Sequence, residues 1–171
     1  MHAYMTNGTL DYLSKVANKH PQLNILFLED QDKTVVYYEA DKPTIFEAAR
    51  KYDIVVSSGN LKEDGFVVMN NIPVTDEGKP IFESQFKKRA SLIDNTPGFY
   101  GLRVLRPFQG NTYVVMVQWQ DEASYEMWKD SDSFKKSHSK TDKTEKKPPY
   151  TAGPSYVTTY KMVDFEEEQN S

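Results

Sequence analysis

The chain of 171 residues contains no cysteine. That removes disulfides, thiolate nucleophiles and sulfur-ligated zinc, so any metal chemistry must use histidine, carboxylates or a bound cofactor. Histidine is scarce too, with three residues, and His2 and His20 stand at no recognisable ligand spacing. Neither an HxxxH pair nor a paired-carboxylate metal motif is present. Glycine-rich phosphate loops are missing: "GNLKEDG" and "EGKP" match neither the Walker nor the dinucleotide fingerprint. Kinase, GTPase and dehydrogenase readings lose support accordingly. No apolar run approaches the roughly 20 residues that span a bilayer, and "MHAYMTNGT" lacks a charged segment leading into an apolar one. A cytoplasmic protein without a membrane span is expected. Positive charge is also in deficit, since a net charge of −4 gives no general basic field for nucleic acid. A basic run from Lys135 to Lys147, and Tyr100, Arg103 and Arg106 in "FYGLRVLRP", are local exceptions. No nucleic-acid partner is expected.

What is present is an ordinary globular composition, 38% hydrophobic and 27% charged, somewhat rich in aromatics at 13%. "AYMTNGT" reads as a strand, and Leu10, Leu13 and Val16 or Ala17 then recur at helical spacing. "NILFL" and "TVVYYE" form a hairpin around "EDQDK", and "TIFEAARKY", with Ile45, Ala48, Ala49 and Tyr52, returns to a helical period before the strand "DIVVS". The first sixty residues therefore read β-α-β-β-α-β. After the polar turn "SSGNLKEDG", the strand "FVVMNNIPVT", the helix "PIFESQFKKRASLID", the strands "FYGLRVLRP" and "TYVVMVQWQ", the helical "EASYEMWK" and "SFKKSH", and the strand "SYVTTYKMV" repeat that order. The expected organisation is a ferredoxin-like half at 1–60, a second such domain at 66–163 and an acidic tail at 164–171.

Three residues stand out. Period-2 alternation places Asn70 on one face with Phe66, Val68, Ile72 and Val74, a lone amide in an apolar row. Buried without a partner it costs on the order of 1–3 kcal/mol, so it either bonds a neighbour or faces a cavity that takes a ligand. Trp128 and His138 bracket the polar stretch "WKDSDSFKKSH". In an unbroken helix they would lie about 15 Å apart along the axis, but Ser131, Asp132 and Ser133 are capping residues that predict a break near Lys129. Trp128 taken alone reads first as core or helix packing, for the area a large aromatic buries. His138 reads either as a helix-end imidazolium or as a neutral metal or haem-iron ligand.

This constellation, a strand Asn, a Trp late in a helix and a His ten residues later, resembles the IsdG-type haem-degrading monooxygenases of the antibiotic biosynthesis monooxygenase (ABM) superfamily. The resemblance rests on "NNIPVTDEGKPIFESQFKKRASLIDNTPGFYGLRVLRP" and "WKDSDSFKKSH". It extends from "YMTNGTLDYL" to "PSYVTTY" in the two-part, Bacillus-type branch of that family. It implies an α+β fold of the dimeric α/β-barrel type, with the smaller N-terminal half completing an intramolecular pseudo-dimer in a monomer. It implies haem as both substrate and cofactor, O2, and an external electron donor, either a reductase or a small reductant. His138 would be the axial ligand, Asn70 would orient bound oxygen, Trp128 would press on the porphyrin, and Arg89 would meet a propionate. The implied products are iron and a bilin-type tetrapyrrole. Two alternatives share the resemblance: a non-enzymatic signalling protein like the staphylococcal TRAP proteins, and a haem storage or sensing protein without turnover.

Overall fold

The computed structural model describes residues 1–31, 33–131 and 151–165. Its elements are β1 (His2–Gly8), α1 (Leu10–Asn18), β2 (Leu26–Asp30), β3 (Lys33–Ala40), β4 (Arg50–Gly59), β5 (Phe66–Pro73), α2 (Lys79–Arg89), β6 (Phe99–Pro107), β7 (Thr112–Trp119), α3 (Glu122–Lys129) and β8 (Tyr156–Met162). A 3-10 turn, Ala90–Leu92, extends α2. Helix starts follow local chemistry. Thr9 caps α1 by accepting from the Tyr12 amide, and Asp121 caps α3 by accepting from the Ser124 amide. Among the described residues, no helix is long and apolar enough to cross a membrane.

The eight strands close into an antiparallel barrel in the order β1-β3-β2-β8-β5-β7-β6-β4. Cut at its two seams, the barrel yields β4-β1-β3-β2 and β8-β5-β7-β6, the same ferredoxin-like order twice. This is an α+β fold whose halves pair as two subunits of a dimeric barrel would. The seams differ in length. β4 and β6 pair over seven positions, from Tyr52↔Pro107 to Gly59↔Gly101, whereas β2 and β8 pair at Leu28↔Met162 and Glu29↔Lys161.

Alternation along the strands sorts side chains into three cores. The lumen holds residues of both halves, among them Met5, Leu28, Tyr37, Val67, Met69, Leu105 and Met116. Outside the first half, Tyr4, Leu13, Val36, Tyr38 and Phe46 pack together. Outside the second half, Phe66, Val68, Ile72, Phe82, Leu102, Val115, Val117 and Trp119 pack beneath α2 and α3. An ion pair crosses the lumen between halves: Arg103 Nε donates to Glu39 Oε2 at 2.8 Å, and Tyr37 donates to the same oxygen at 2.6 Å. The rest of the guanidinium is met by backbone carbonyls of Ser58, Gly59 and Leu102.

One predicted element is absent. Residues 45–48 form bends, and Tyr52 lies within β4, so the helix expected over "TIFEAARKY" does not form. Its apolar spacing fits a helix, but Arg50, Lys51 and Tyr52 are taken by pairing with Met5, Tyr4 and Ala3. The remaining run is too short to repay helix nucleation. Side-chain hydroxyls also capture its backbone: the Ile45 amide donates to Tyr38 Oη at 3.0 Å and the Phe46 amide to Thr44 Oγ1 at 3.0 Å.

Candidate functional site

β5 carries Asn70 between Val115 of β7 and Val157 of β8, on the outward face beneath α2 and α3. The neighbouring Asn71 points the other way and is satisfied by the carbonyls of Met69 and Tyr156 and the hydroxyl of Thr158, each at 3.3 Å. Asn70 has no such arrangement. Its Oδ1 is buried and has no hydrogen-bond partner among the described residues.

Above Asn70 lies a cavity of about 230 Å³. Val68, Leu102, Val115, Val117 and Trp119 of the sheet form its floor, Phe86, Arg89 and Ala90 its wall on α2, and Tyr125, Trp128 and Lys129 its wall on α3. Each helix contributes at i, i+3 and i+4, so one helical face supplies each wall. Three of the four residues singled out from sequence, Asn70, Arg89 and Trp128, therefore meet at one cavity. The fourth, His138, lies outside the described residues, as do "SFKKSH", the basic run after it and the acidic tail beyond Phe165. The predicted helix break holds as far as it is seen: α3 ends at Lys129, and the Ser131 amide and hydroxyl both donate to the Trp128 carbonyl.

Sequence reading missed Trp119. It is fully buried, its ring centroid is 5.6 Å from that of Trp128 and 6.2 Å from that of Tyr125, and its Nε1 has no partner among the described residues. Its position on the same face as Val115 and Val117 was the available signal. Gly65, at φ +105, lets the chain enter β5 beside Trp119, where a Cβ would collide with the Trp119 carbonyl oxygen. Electrostatically the mouth is cationic. Arg89 stacks over Phe86 at 5.8 Å and has no ion pair among the described residues. Lys129 pairs with Glu126 at 3.3 Å, and that hydrogen bond, with the Tyr125 ring next, raises its pKa. Burial pushes the Tyr125 phenol up, so it stays neutral and can donate.

Below α2, Glu83 accepts two hydrogen bonds from Arg106, at 2.8 and 2.6 Å, and a further short one from the Tyr113 hydroxyl. The Arg106 hydrogen bond holds the Glu83 carboxyl below its usual range against the opposing effect of burial. This cluster fixes α2, and with it Phe86 and Arg89, onto the sheet.

A larger cavity, about 710 Å³, opens at the β2–β8 seam between α1 and Glu63, Asp64 and Asp164. None of the buried side-chain atoms without a partner belongs to its lining. The smaller cavity is the better site because two such atoms belong to its walls. Among the described residues, no group of three or more His, Asp or Glu is placed to hold a metal ion.

Two ferredoxin-like halves closed into one barrel, with an apolar cavity under the helices of the second, define a fused dimeric α/β-barrel protein. Residues 65–140 match the family model described as antibiotic biosynthesis monooxygenase. Its relatives divide in two. "Signal transduction protein TRAP" of Staphylococcus aureus is 28% identical over 137 residues, covering 80% of this chain and 82% of the relative. "Heme-degrading monooxygenase" of Listeria monocytogenes is 26% identical over 128 residues, covering 75% and 77%. Solved structures repeat the division. A major regulator of staphylococcal pathogenesis superposes with TM-score 0.83 at 23% identity, covering 96% of this chain and all of that one. A heme-degrading enzyme from Listeria monocytogenes superposes with TM-score 0.73 at 23% identity, covering 94% and 99%. At these identities the structural likeness establishes the fold.

Proposed function

We propose that the protein is a haem-degrading monooxygenase of the two-part type, which binds haem in the cavity above Asn70 and opens the porphyrin with O2 and an external reductant. The observation that carries this reading is the buried Asn70 oxygen, unpaired among the described residues, at the floor of an apolar cavity walled by Trp128 and Arg89. Haem fits the chemistry of these residues: a flat apolar macrocycle for the aromatic walls, and two carboxylates for a cationic mouth. The cavity is smaller than the roughly 300–1,000 Å³ that encloses a drug-sized ligand, so the macrocycle needs a wall displaced or an edge left outside.

Within this reading the haem supplies the iron at which O2 is activated. His138, carried over from the family resemblance, would hold that iron through its imidazole. The Asn70 amide offers an acceptor and two donors, and fixed on a strand it orients a polar group bound above it without reorganisation. Trp128, held against Trp119, limits how the macrocycle can lie. Arg89 meets a carboxylate with a planar, permanently charged group.

Hemin titration tests the assignment: His138→Ala should abolish the Soret shift of the bound complex, and an unaltered spectrum would overturn the ligand. Turnover under O2 with ascorbate then decides between an enzyme and the alternative supported by the TRAP relatives, a signalling or haem-storing protein. Loss of the Soret band with appearance of a bilin absorbance is expected. A stable complex would favour storage, and failure to bind haem would favour the signalling reading.

A further inference from the structure

We propose that the outer face of α2 is the docking surface for an acidic one-electron donor protein, a proposal that rests on the haem-degrading reading above. α2 contains one acid, Glu83, and Arg106 and Tyr113 consume it beneath the helix. What α2 presents outward is therefore cationic: Lys87 and Lys88 are exposed in its last turn, beside Arg89. Stabilisation of the helix C-terminus accounts for basic residues there, but not for the apolar surface beside them. Ile81 and Leu92 are 44% and 39% exposed, and helical geometry places them on one side with Ser84, Gln85 and Lys88. Leu92 also lines the cavity, so this stripe runs along α2 to the mouth of the site.

Two exposed apolar side chains on a polar face edged by like charges, on a chain whose net charge is −4, are a local reversal of sign. Such a patch steers an oppositely charged partner and holds it through a small contact, the pattern of transient redox encounters. The partner's chemistry follows: an acidic surface around an exposed redox group. Each encounter transfers one electron, oxidising the donor by one unit and reducing ferric haem iron by one, with no atom exchanged.

Reduced plant-type ferredoxin, an acidic iron–sulfur protein, is a suitable probe, with ascorbate as the small-molecule comparison. The double variant Lys87→Glu/Lys88→Glu should lose about tenfold in ferredoxin-driven kcat/KM, at the low end of the 10–10³-fold range for electrostatic steering, and its rate should depend less on salt. Ascorbate-driven turnover should stay within twofold. Lys19→Glu/Lys33→Glu, which changes the net charge equally on exposed positions of the other half, should leave both rates unchanged. A titration of the haem-free protein with oxidised ferredoxin should shift amide resonances of residues 81–92. Equal loss with both donors, an equal effect of the control variant, or shifts confined elsewhere would each overturn the docking face. Absence of turnover with either donor in the parent protein would overturn the functional reading itself, and this proposal with it.

Discussion

Replacing Asn70 by Val separates a structural amide from a functional one, because the two make opposite predictions. Asn70 sits in the ladder between Val115 and Val157, so Val completes a row of three β-branched residues on one face. If Asn70 were a structural residue, its amide would be bonded and its loss would cost stability. Its oxygen is instead buried without a partner among the described residues. An unsatisfied group of this kind costs about 1–3 kcal/mol, and the substitution removes that cost while adding apolar contact. For a chain of this size each kcal/mol moves Tm by roughly 2–4 °C, so differential scanning calorimetry on the haem-free protein should show a rise of several degrees. Activity should move the other way. Removing one preorganised polar group from an active site typically costs about 10²–10³ in rate, so haem should still give a Soret shift while single-turnover decay slows at least a hundredfold. A fall in Tm, or a rise in Tm with unaltered turnover, would refute the argument.

Three further outcomes follow from the same coordinates. Arg103→Ala should destabilise the protein by about 3 kcal/mol in urea unfolding, because it leaves the Glu39 carboxylate without its cation, held by Tyr37, where the halves meet across the lumen; Arg103→Ala with Glu39→Gln should recover part of that loss. Glu83, whose carboxyl is held low chiefly by the Arg106 hydrogen bond, adds stability above the ordinary carboxylate pKa, and that stability is lost as pH falls through its lowered folded value. Stability against pH should accordingly be flatter on the acid side for Glu83→Gln, as thermal unfolding at a series of pH values would reveal. Isothermal titration with hemin should give one equivalent per chain, since the face of the first half that corresponds to the cavity is filled; two equivalents would refute the equivalence drawn between the halves.

Much of this was legible because strands and short amphipathic helices leave local patterns. The alternation that set Asn70 apart from Asn71 survives in the structure: one faces the helices and the other the lumen. α3 ends at Lys129, with Ser131 donating to the Trp128 carbonyl, where capping chemistry predicts a break. What failed was non-local. Ile45, Ala48, Ala49 and Tyr52 carry a helical period, yet β1 claims residues 50–52 for the sheet, and no local pattern announces that competition. Trp119 was invisible as a cavity wall for a similar reason. A tryptophan on a strand reads as core, and only the arrival of Trp128 and Tyr125 from α3 gives it a ligand-facing neighbourhood. Arg89 entered through resemblance, and the i, i+3, i+4 relation to Phe86 and Ala90 is the physical reason it reaches the cavity.

The asymmetry of the two halves explains how one chain tolerates a buried amide oxygen with no partner among the described residues. In a barrel of two identical subunits each substitution appears twice, so a costly residue in one cavity is costly in both. Fusion removes that constraint. On the first half, Tyr4 and Tyr38 stack at 5.2 Å and Phe46 packs at 6.1 Å from Tyr38, while the Tyr4 hydroxyl donates to the Lys42 carbonyl. The loop 41–49 is thereby fastened over the sheet where α3 lies on the other half, and the space becomes core. The second half keeps two helices and leaves the space open. The lumen, shared by both, couples them through apolar packing and the Arg103–Glu39 pair, so packing gained on the first face offsets the cost of Asn70 on the second. Opening the filled face, for example by Phe46→Ala, should lower the stability of the whole barrel without creating a second site, because no buried polar atom of that face lacks a partner among the described residues.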